Sequence, residues 1–220
     1  MRAVAAHQPN YLPNLGFFYK LARADIFVII TNLQFEKQEG WQQRHKIAGP
    51  SGDIWLTVPV RGSQNQLIKE VKIENSTPWR RKHKRTIELT YARSPGRDHL
   101  PWLTQTYETA WERLVDLNVE LITRLKEILG ISTPIVLDEE VSGAKEELLI
   151  NVCKKYGADT YLSGIGAKDY LTPERLMKIE TAGITHLFVE KNLTAEYPYA
   201  AIHYILSEGV EATRAKLEIL

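Results

Sequence analysis

Ala3-Val4-Ala5-Ala6-His7-Gln8-Pro9-Asn10-Tyr11-Leu12-Pro13 begins as a short apolar run and turns into a polar loop, and Ile26-Phe27-Val28-Ile29-Ile30 follows after a helical stretch. The first run reads as a buried strand. Two prolines so close together forbid helix and regular ladder pairing, so the strand ends in a rigid loop. From Gly16 to Ala24, apolar groups at Phe17, Tyr19, Leu21 and Ala24 recur at helical spacing, which predicts a helix with Lys20 and Arg23 outward and an end at Asp25. Five consecutive β-formers, apolar on both faces, suit a central parallel strand covered on both sides. Strand, loop, helix and strand make a βαβ unit, and the chain is expected to be α/β with a mainly parallel sheet and flanking helices.

The C-terminal part repeats that alternation. Pro134 to Leu137 reads as a strand, and Gly143 to Tyr156 as a helix closed by Gly157 in the C-cap position. Thr160 to Ser163 is the next strand, and Gly164-Ile165-Gly166-Ala167 a glycine-rich turn. Thr172-Pro173-Glu174 opens a helix that stops at Gly183, and Ile184 to Val189 is a last strand.

Residues 36–130 differ in character and read as an insertion within a single domain of residues 1–220. Glu36 to Gly52 is polar around Trp41, and Gly49-Pro50-Ser51-Gly52 is a turn signal. Asp53 to Val60 and Leu67 to Glu74 read as the strands of an inserted β-hairpin. Thr77-Pro78-Trp79 looks like a capped helix start, with the helix running through the basic run to about Tyr91. Further helical patterning covers Trp102 to Leu114 and Asn118 to Leu129.

Composition narrows the function classes. The 220 residues carry a net charge of +1, so the molecule has no strong field of one sign, and nucleic-acid binding would need a local patch. A single cysteine, Cys153, forms neither an internal disulfide nor a cysteine-based zinc site, and its helical neighbours Leu149 and Ile150 place it in the core. The N-terminal residues lack the apolar run of a signal peptide, and no stretch approaches the ~20 apolar residues of a membrane span. A cytoplasmic protein with no membrane association is expected. There is no HExxH, no Gly-x-Ser-x-Gly, and the six histidines are scattered, so no metal site is read from spacing.

Ligands of open α/β sheets bind at the carboxyl ends of the strands, which selects the loops after each strand. The first loop carries His7, Gln8, Asn10 and Tyr11. His7 titrates near neutral pH in its free form, and a proline-bent strand end holds such a group rigidly, as catalysis requires. A histidine that only caps loop amides is the competing reading. The second loop carries Asn32, Gln34 and Lys37. With Arg44 and Lys46, Lys37 would hold a phosphate or carboxylate. Arg80-Arg81-Lys82-His83-Lys84-Arg85 is the densest charge run; such runs are usually solvated helix faces. Lys82 near the helix start would alternatively face an anion, where the dipole helps. One aromatic and no recognised motif argue against nucleic acid. Ser163, Gly164 and Lys168 flank a turn whose glycines let backbone N–H groups approach a ligand, although neither the Walker nor the dinucleotide spacing is present.

The opening residues His7-Gln8-Pro9-Asn10-Tyr11-Leu12-Pro13, Gly16-Phe17-Phe18-Tyr19-Lys20 and Ala24-Asp25 resemble the signature of the WbqC-like family. Asn32-Leu33-Gln34-Phe35, Trp55-Leu56-Thr57-Val58-Pro59-Val60, Tyr161-Leu162-Ser163-Gly164 and Tyr170-Leu171 fit the same pattern. Asn14, where members carry tryptophan, and the segment Glu190 to Gly209 depart from it. The resemblance implies a bacterial protein of surface-polysaccharide pathways, and an acyl or aminoacyl transferase, glycyl included, that forms an amide on an amino sugar. His7 would then be the base, and Asn10, Tyr11 and Asn32 would position the substrate. Lys37, Arg44, Lys82 and Lys168 would bind the phosphates of a nucleotide-sugar or of an acyl carrier protein. No resident cofactor is expected beyond an activated acyl thioester donor. The opening βαβ also resembles the start of nucleotidyltransferase-like (HUP-type) folds, an analogy of fold alone because His-x-x-His is missing. Its functional counterpart is a nucleotidyl or adenylate-forming transferase using ATP and Mg²⁺. A non-catalytic small-molecule or RNA-binding protein is the third class. The residues leave the oligomeric state open.

Overall fold

A computed structural model describes residues 1–36, 40–62 and 65–219. Its frame is a five-stranded parallel sheet of β1 (Ala3–His7), β2 (Ile26–Ile30), β7 (Ile135–Asp138), β8 (Thr160–Ser163) and β9 (Thr185–Phe188), in the order β7-β2-β1-β8-β9. In chain order these are the third, second, first, fourth and fifth strands of that sheet, the doubly wound arrangement. Succession reverses between β1 and β8, which pair through Ala3–Thr160 and Val4–Tyr161.

The registers explain the burial pattern. In β2 all five residues are buried. Phe27 and Ile29 face one core with Ala5 and Leu162, and Ile26, Val28 and Ile30 face the other with Val4, Ala6 and Tyr161. The first core is closed by α1 (Leu15–Ala22) and the inserted segment, together with the C-terminal helices α7 (Leu193–Glu196), α8 (Ala201–Glu208) and α9 (Val210–Leu217). The second lies beneath α5 (Glu146–Tyr156) and α6 (Pro173–Thr181). Gly157 ends α5 in the left-handed region (φ 60, ψ 39), the conformation a C-cap glycine adopts. Cys153 lies in the second core, where burial pushes its thiol up to about 12.

Residues 31–134 lie between the paired strands β2 and β7, so the insertion fills one crossover. It holds the antiparallel pairs β3 (Arg44–Gly49) with β4 (Gly52–Thr57) and β5 (Val60–Arg61) with β6 (Lys72–Ile73), then α2 (Trp79–Tyr91), α3 (Leu100–Thr106) and α4 (Leu114–Ile128). The hairpin is therefore displaced from its expected place. Its first strand lies in the stretch read as polar loop, and the turn is Gly49-Pro50-Ser51-Gly52. Leu67 to Glu74 holds a 3₁₀ turn, Ile68–Glu70, and a two-residue strand. Ile47 and Leu56 supply the buried side of the β3–β4 pair, which suffices to fix it. In α2, Trp79, His83, Ile87 and Tyr91 form the buried stripe, leaving Arg81, Lys82 and Arg85 on the solvated face. Among the described residues no helix is long and apolar enough to cross a membrane.

Candidate functional site at the sheet switch point

A cavity of about 700 Å³ opens where β1 and β8 end side by side. Its walls bring together the loop after β1 (His7, Gln8, Asn10) and the turn after β8 (Ser163, Gly164, Gly166). That is the position the strand-end rule selects. The rim is aromatic: Trp41 and Tyr170 are both partly exposed. Trp41 stacks on Trp55 at 6.0 Å and 25°, and the Arg44 guanidinium lies 5.0 Å over Trp55, so an exposed ledge continues from the rim along the hairpin.

Three clamps fix the loop after β1. Tyr11 N–H donates to the Trp41 carbonyl (2.9 Å), and the fully buried Asn118 of α4 donates to the carbonyls of Pro9 (2.8 Å) and Gln42 (2.7 Å). The Gln42 amide also donates to Gln8 Oε1. Leu12 sits at φ 45, which costs about 1–2 kcal/mol for an L-residue. Its fully buried side chain recovers about 1.5–3 kcal/mol, so the kink persists. Asn14 caps α1, accepting from Phe17 N–H at 3.1 Å. Gly16 lets α7 pack against that helix, because a Cβ there would lie 2.2 Å from Thr194 Oγ1.

His7 Nδ1 lies 2.9 Å from the Gln8 carbonyl. A carbonyl only accepts, so Nδ1 carries the proton and Nε2 keeps the lone pair. Burial, reinforced by the charge of Lys20, lowers the His7 pKa from 6.5 to about 3. The expectation that it titrates near neutrality is corrected: the imidazole is uncharged there.

Lys20 was expected outward, and the structure turns it inward. It is the one buried lysine among the described residues, it lines the cavity, and its Nζ donates to the Ala6 carbonyl at 2.9 Å. None of the ion pairs between described residues includes it. Burial brings its pKa down from 10.5 to about 7. The cavity thus holds an uncharged imidazole beside an amine that changes charge around neutral pH. Helical periodicity gives lysine to solvent by default, and only the burial of five other residues on this short helix reveals the inversion.

The other expected site residues are dispersed. Tyr11 is fully buried and hydrogen-bonded to His83 Nδ1 (2.9 Å) and the Tyr107 hydroxyl (2.5 Å), away from the cavity wall. Asn32 donates to the Glu140 carbonyl, and Gln34 bridges to Leu67. Lys46 pairs with Asp53 at 2.7 Å. Lys168 is exposed, its Nζ 5.3 Å over the Phe188 ring. Lys82 lines a second recess of about 400 Å³ with Trp55 and Trp79. Lys37 lies outside the described residues. The expected cluster of phosphate-binding cations therefore does not assemble at the cavity from Arg44, Lys46, Lys82 and Lys168, because Arg44 and Lys46 belong to the hairpin, Lys82 to the second recess, and Lys168 lies over Phe188 outside the cavity wall. Among the described residues no group of three or more His, Cys, Asp or Glu side chains could hold a metal ion.

The model of the WbqC-like protein family matches residues 8–206, which include nearly all of the cavity wall. The uncharacterized protein Rv1507c of Mycobacterium tuberculosis is 35% identical over 177 residues, covering 78% of this chain and 76% of its own length. No solved structure matches the chain. A family match over most of the chain, with its opening motif folded into the loop that walls the cavity, places this protein in the WbqC-like family.

Proposed function

We propose that the chain is an acyl or aminoacyl transferase that forms an amide on an amino sugar or related amine, taking the acyl group from an activated thioester. The observation that carries this reading is the buried Lys20 amine in the wall beside His7. An amine attacking a thioester must lose a proton, and the best acceptor has a pKa near the working pH. Lys20, at about 7, meets that condition; His7, at about 3, is too weak a base. The proton-accepting role therefore goes to Lys20. His7 Nε2 accepts a hydrogen bond from the incoming amine and aims it. Asn10 and Gln8 border the acceptor, and the backbone around Gly164 and Gly166 borders the acyl carbonyl. The exposed Trp41–Trp55 ledge offers flat faces to a sugar or base of the nucleotide-sugar acceptor. Surface-polysaccharide or small-metabolite biosynthesis, with a carrier protein as one source of thioester, fits that chemistry.

A second reading is supported by the strand order: doubly wound sheets with a cavity at the switch point often hold nucleotides. It makes the chain a nucleotidyl transferase using ATP with Mg²⁺.

A thermal-shift panel separates the two. The probes are nucleotide-linked amino sugars, acyl-CoA species, glycine and ATP, each with and without Mg²⁺. A ligand at a hundred times its dissociation constant adds about 2.7 kcal/mol. Stabilisation by a nucleotide-linked amino sugar without Mg²⁺, followed by amide formation when a thioester is added, is expected. Stabilisation by ATP only with Mg²⁺, with release of pyrophosphate, would replace acyl transfer with nucleotidyl transfer.

A further inference from the structure

Ser163 closes β8, and its Oγ lies 2.8 Å from His186 Nε2 on the neighbouring strand β9. In the parallel register Tyr161 pairs with His186 and Ser163 with Phe188, so all four side chains share one face of the sheet. The imidazole is held on both sides. It stacks on Tyr161 (6.3 Å, 9°) and meets the Phe188 ring edge-on (4.7 Å, 76°). Burial lowers its pKa, which favours the uncharged imidazole with a free lone pair.

Two polar groups satisfying each other at a sheet edge would show the same hydrogen bond. What distinguishes this pair is the location of the hydroxyl. Ser163 lines the switch-point cavity, across from the β1 loop. Beside it, a Cβ added to Gly164 or Gly166 would meet no atom within 4 Å, and neither glycine has positive φ. Neither chain geometry nor packing requires glycine there, and the two leave open space next to the hydroxyl.

We propose that Ser163 is the nucleophile that first receives the acyl group, with His186 as its base. This rests on the acyl-transfer reading above and adds a covalent intermediate to it. Ser163 Oγ attacks the thioester carbonyl carbon while its proton passes to His186 Nε2. The tetrahedral intermediate expels the thiolate, which takes that proton and leaves as a thiol, and an ester remains on Ser163. The amine then attacks the ester carbonyl and gives its proton to Lys20. Ser163 Oγ departs and its hydroxyl is restored by the proton that Lys20 gives up, which returns Lys20 to the free amine, so thioester plus amine becomes amide plus thiol with no oxidant or reductant.

The test uses the full chain and p-nitrophenyl acetate as a small acyl donor. The expected result is a burst of one p-nitrophenolate per chain and an acetyl group mapped by peptide mass spectrometry to Ser163, above the background of surface lysines. Ser163→Ala loses the burst, and Ser163→Cys retains it as a thioester. His186→Gln keeps an amide for the serine hydroxyl to bond but takes no proton, and acylation slows by about 10²-fold or more. Acetylation of His186→Gln at the wild-type rate, or no acetylation of Ser163 while Ser163→Ala still forms amide from a thioester, would overturn the proposal and leave direct transfer standing. An acyl-Ser163 that only water discharges would sustain the nucleophile and remove the amine-transfer reading instead.

Discussion

Lys20 opposes folding where it is charged. A lysine whose pKa falls from 10.5 to about 7 carries a penalty of roughly 5 kcal/mol wherever both folded and unfolded states are protonated. The unfolded chain holds its proton up to 10.5 and the folded chain releases it near 7, so between those values the unfolded state binds more protons. Stability from this group therefore rises as pH climbs through that window. Lys20→Met removes the buried charge and forfeits the bond to the Ala6 carbonyl, a loss of about 1–3 kcal/mol. Relief of the buried charge outweighs the lost hydrogen bond. At pH 6 the variant should therefore melt no lower than wild type by calorimetry, while amide formation falls by about 10²–10⁴. A lysine that merely anchors α1 to β1 would give the reverse, a destabilised and active protein. Legibility divides along the same line. Strand-end placement alone pointed to His7, Gln8, Asn10, Ser163 and Gly164, which the structure brings to one cavity wall. Lys20 was missed because α1 is covered on more sides than its periodicity implies, and Tyr11 was misplaced because a loop sequence does not reveal which way an aromatic turns.

At the scale of elements, the loop after β1 is positioned by other parts of the chain. Asn118→Leu would leave the buried carbonyls of Pro9 and Gln42 without their donor, although it also removes Asn118 Oδ1, which has no partner. A net loss of about 2 kcal/mol in urea unfolding is expected, with weaker ligand binding because the loop carrying His7 loosens. The turn after β8 should behave oppositely. Gly164 has φ −70 and room for a methyl group, so Gly164→Ala should stay within about 1 kcal/mol of wild type, on the stable side if anything. Ligand stabilisation in the same protein should shrink by at least about 1.4 kcal/mol, the equivalent of tenfold in affinity. Retained binding would show that the ligand does not approach this backbone. The hairpin shows where element reading fails. The turn at Gly49 to Gly52 was legible, but Arg44-His45-Lys46-Ile47-Ala48-Gly49 lacks a run of β-formers. Its strand is set by pairing with β4 and by Ile47 in the core, which are non-local facts.

For the molecule as a whole, three partly or fully buried histidines set the acid limit. Burial lowers His7 to about 3 and His45 and His83 to about 4, against 6.5 unfolded. Folded pKa values below the unfolded one mean that the unfolded chain takes up protons first as pH falls, so stability is lost from about pH 6.5 downward. The carboxylates of Glu74 and Asp138, held below their ordinary values by Arg61 and by Tyr156 and Lys155 against the opposing effect of burial, add their loss only below about pH 4.5. The urea midpoint should therefore drop between pH 6.5 and 4.5 before any carboxylate loss sets in, and a flat profile there would mean these imidazoles are solvated. The parallel frame was readable because β1, β2, β7, β8 and β9 are each signalled locally by apolar runs and turn residues, whereas the strand order that creates the switch point was not. The charge state of the cavity was not, because burial is a property of the assembled fold. The most direct test of this account is the titration of Lys20 itself, followed by NMR of ε-labelled lysines and assigned with Lys20→Arg. A midpoint near 7 is the expected result, and a midpoint above 10 would mean a permanently charged ammonium in the cavity and no base for the amine.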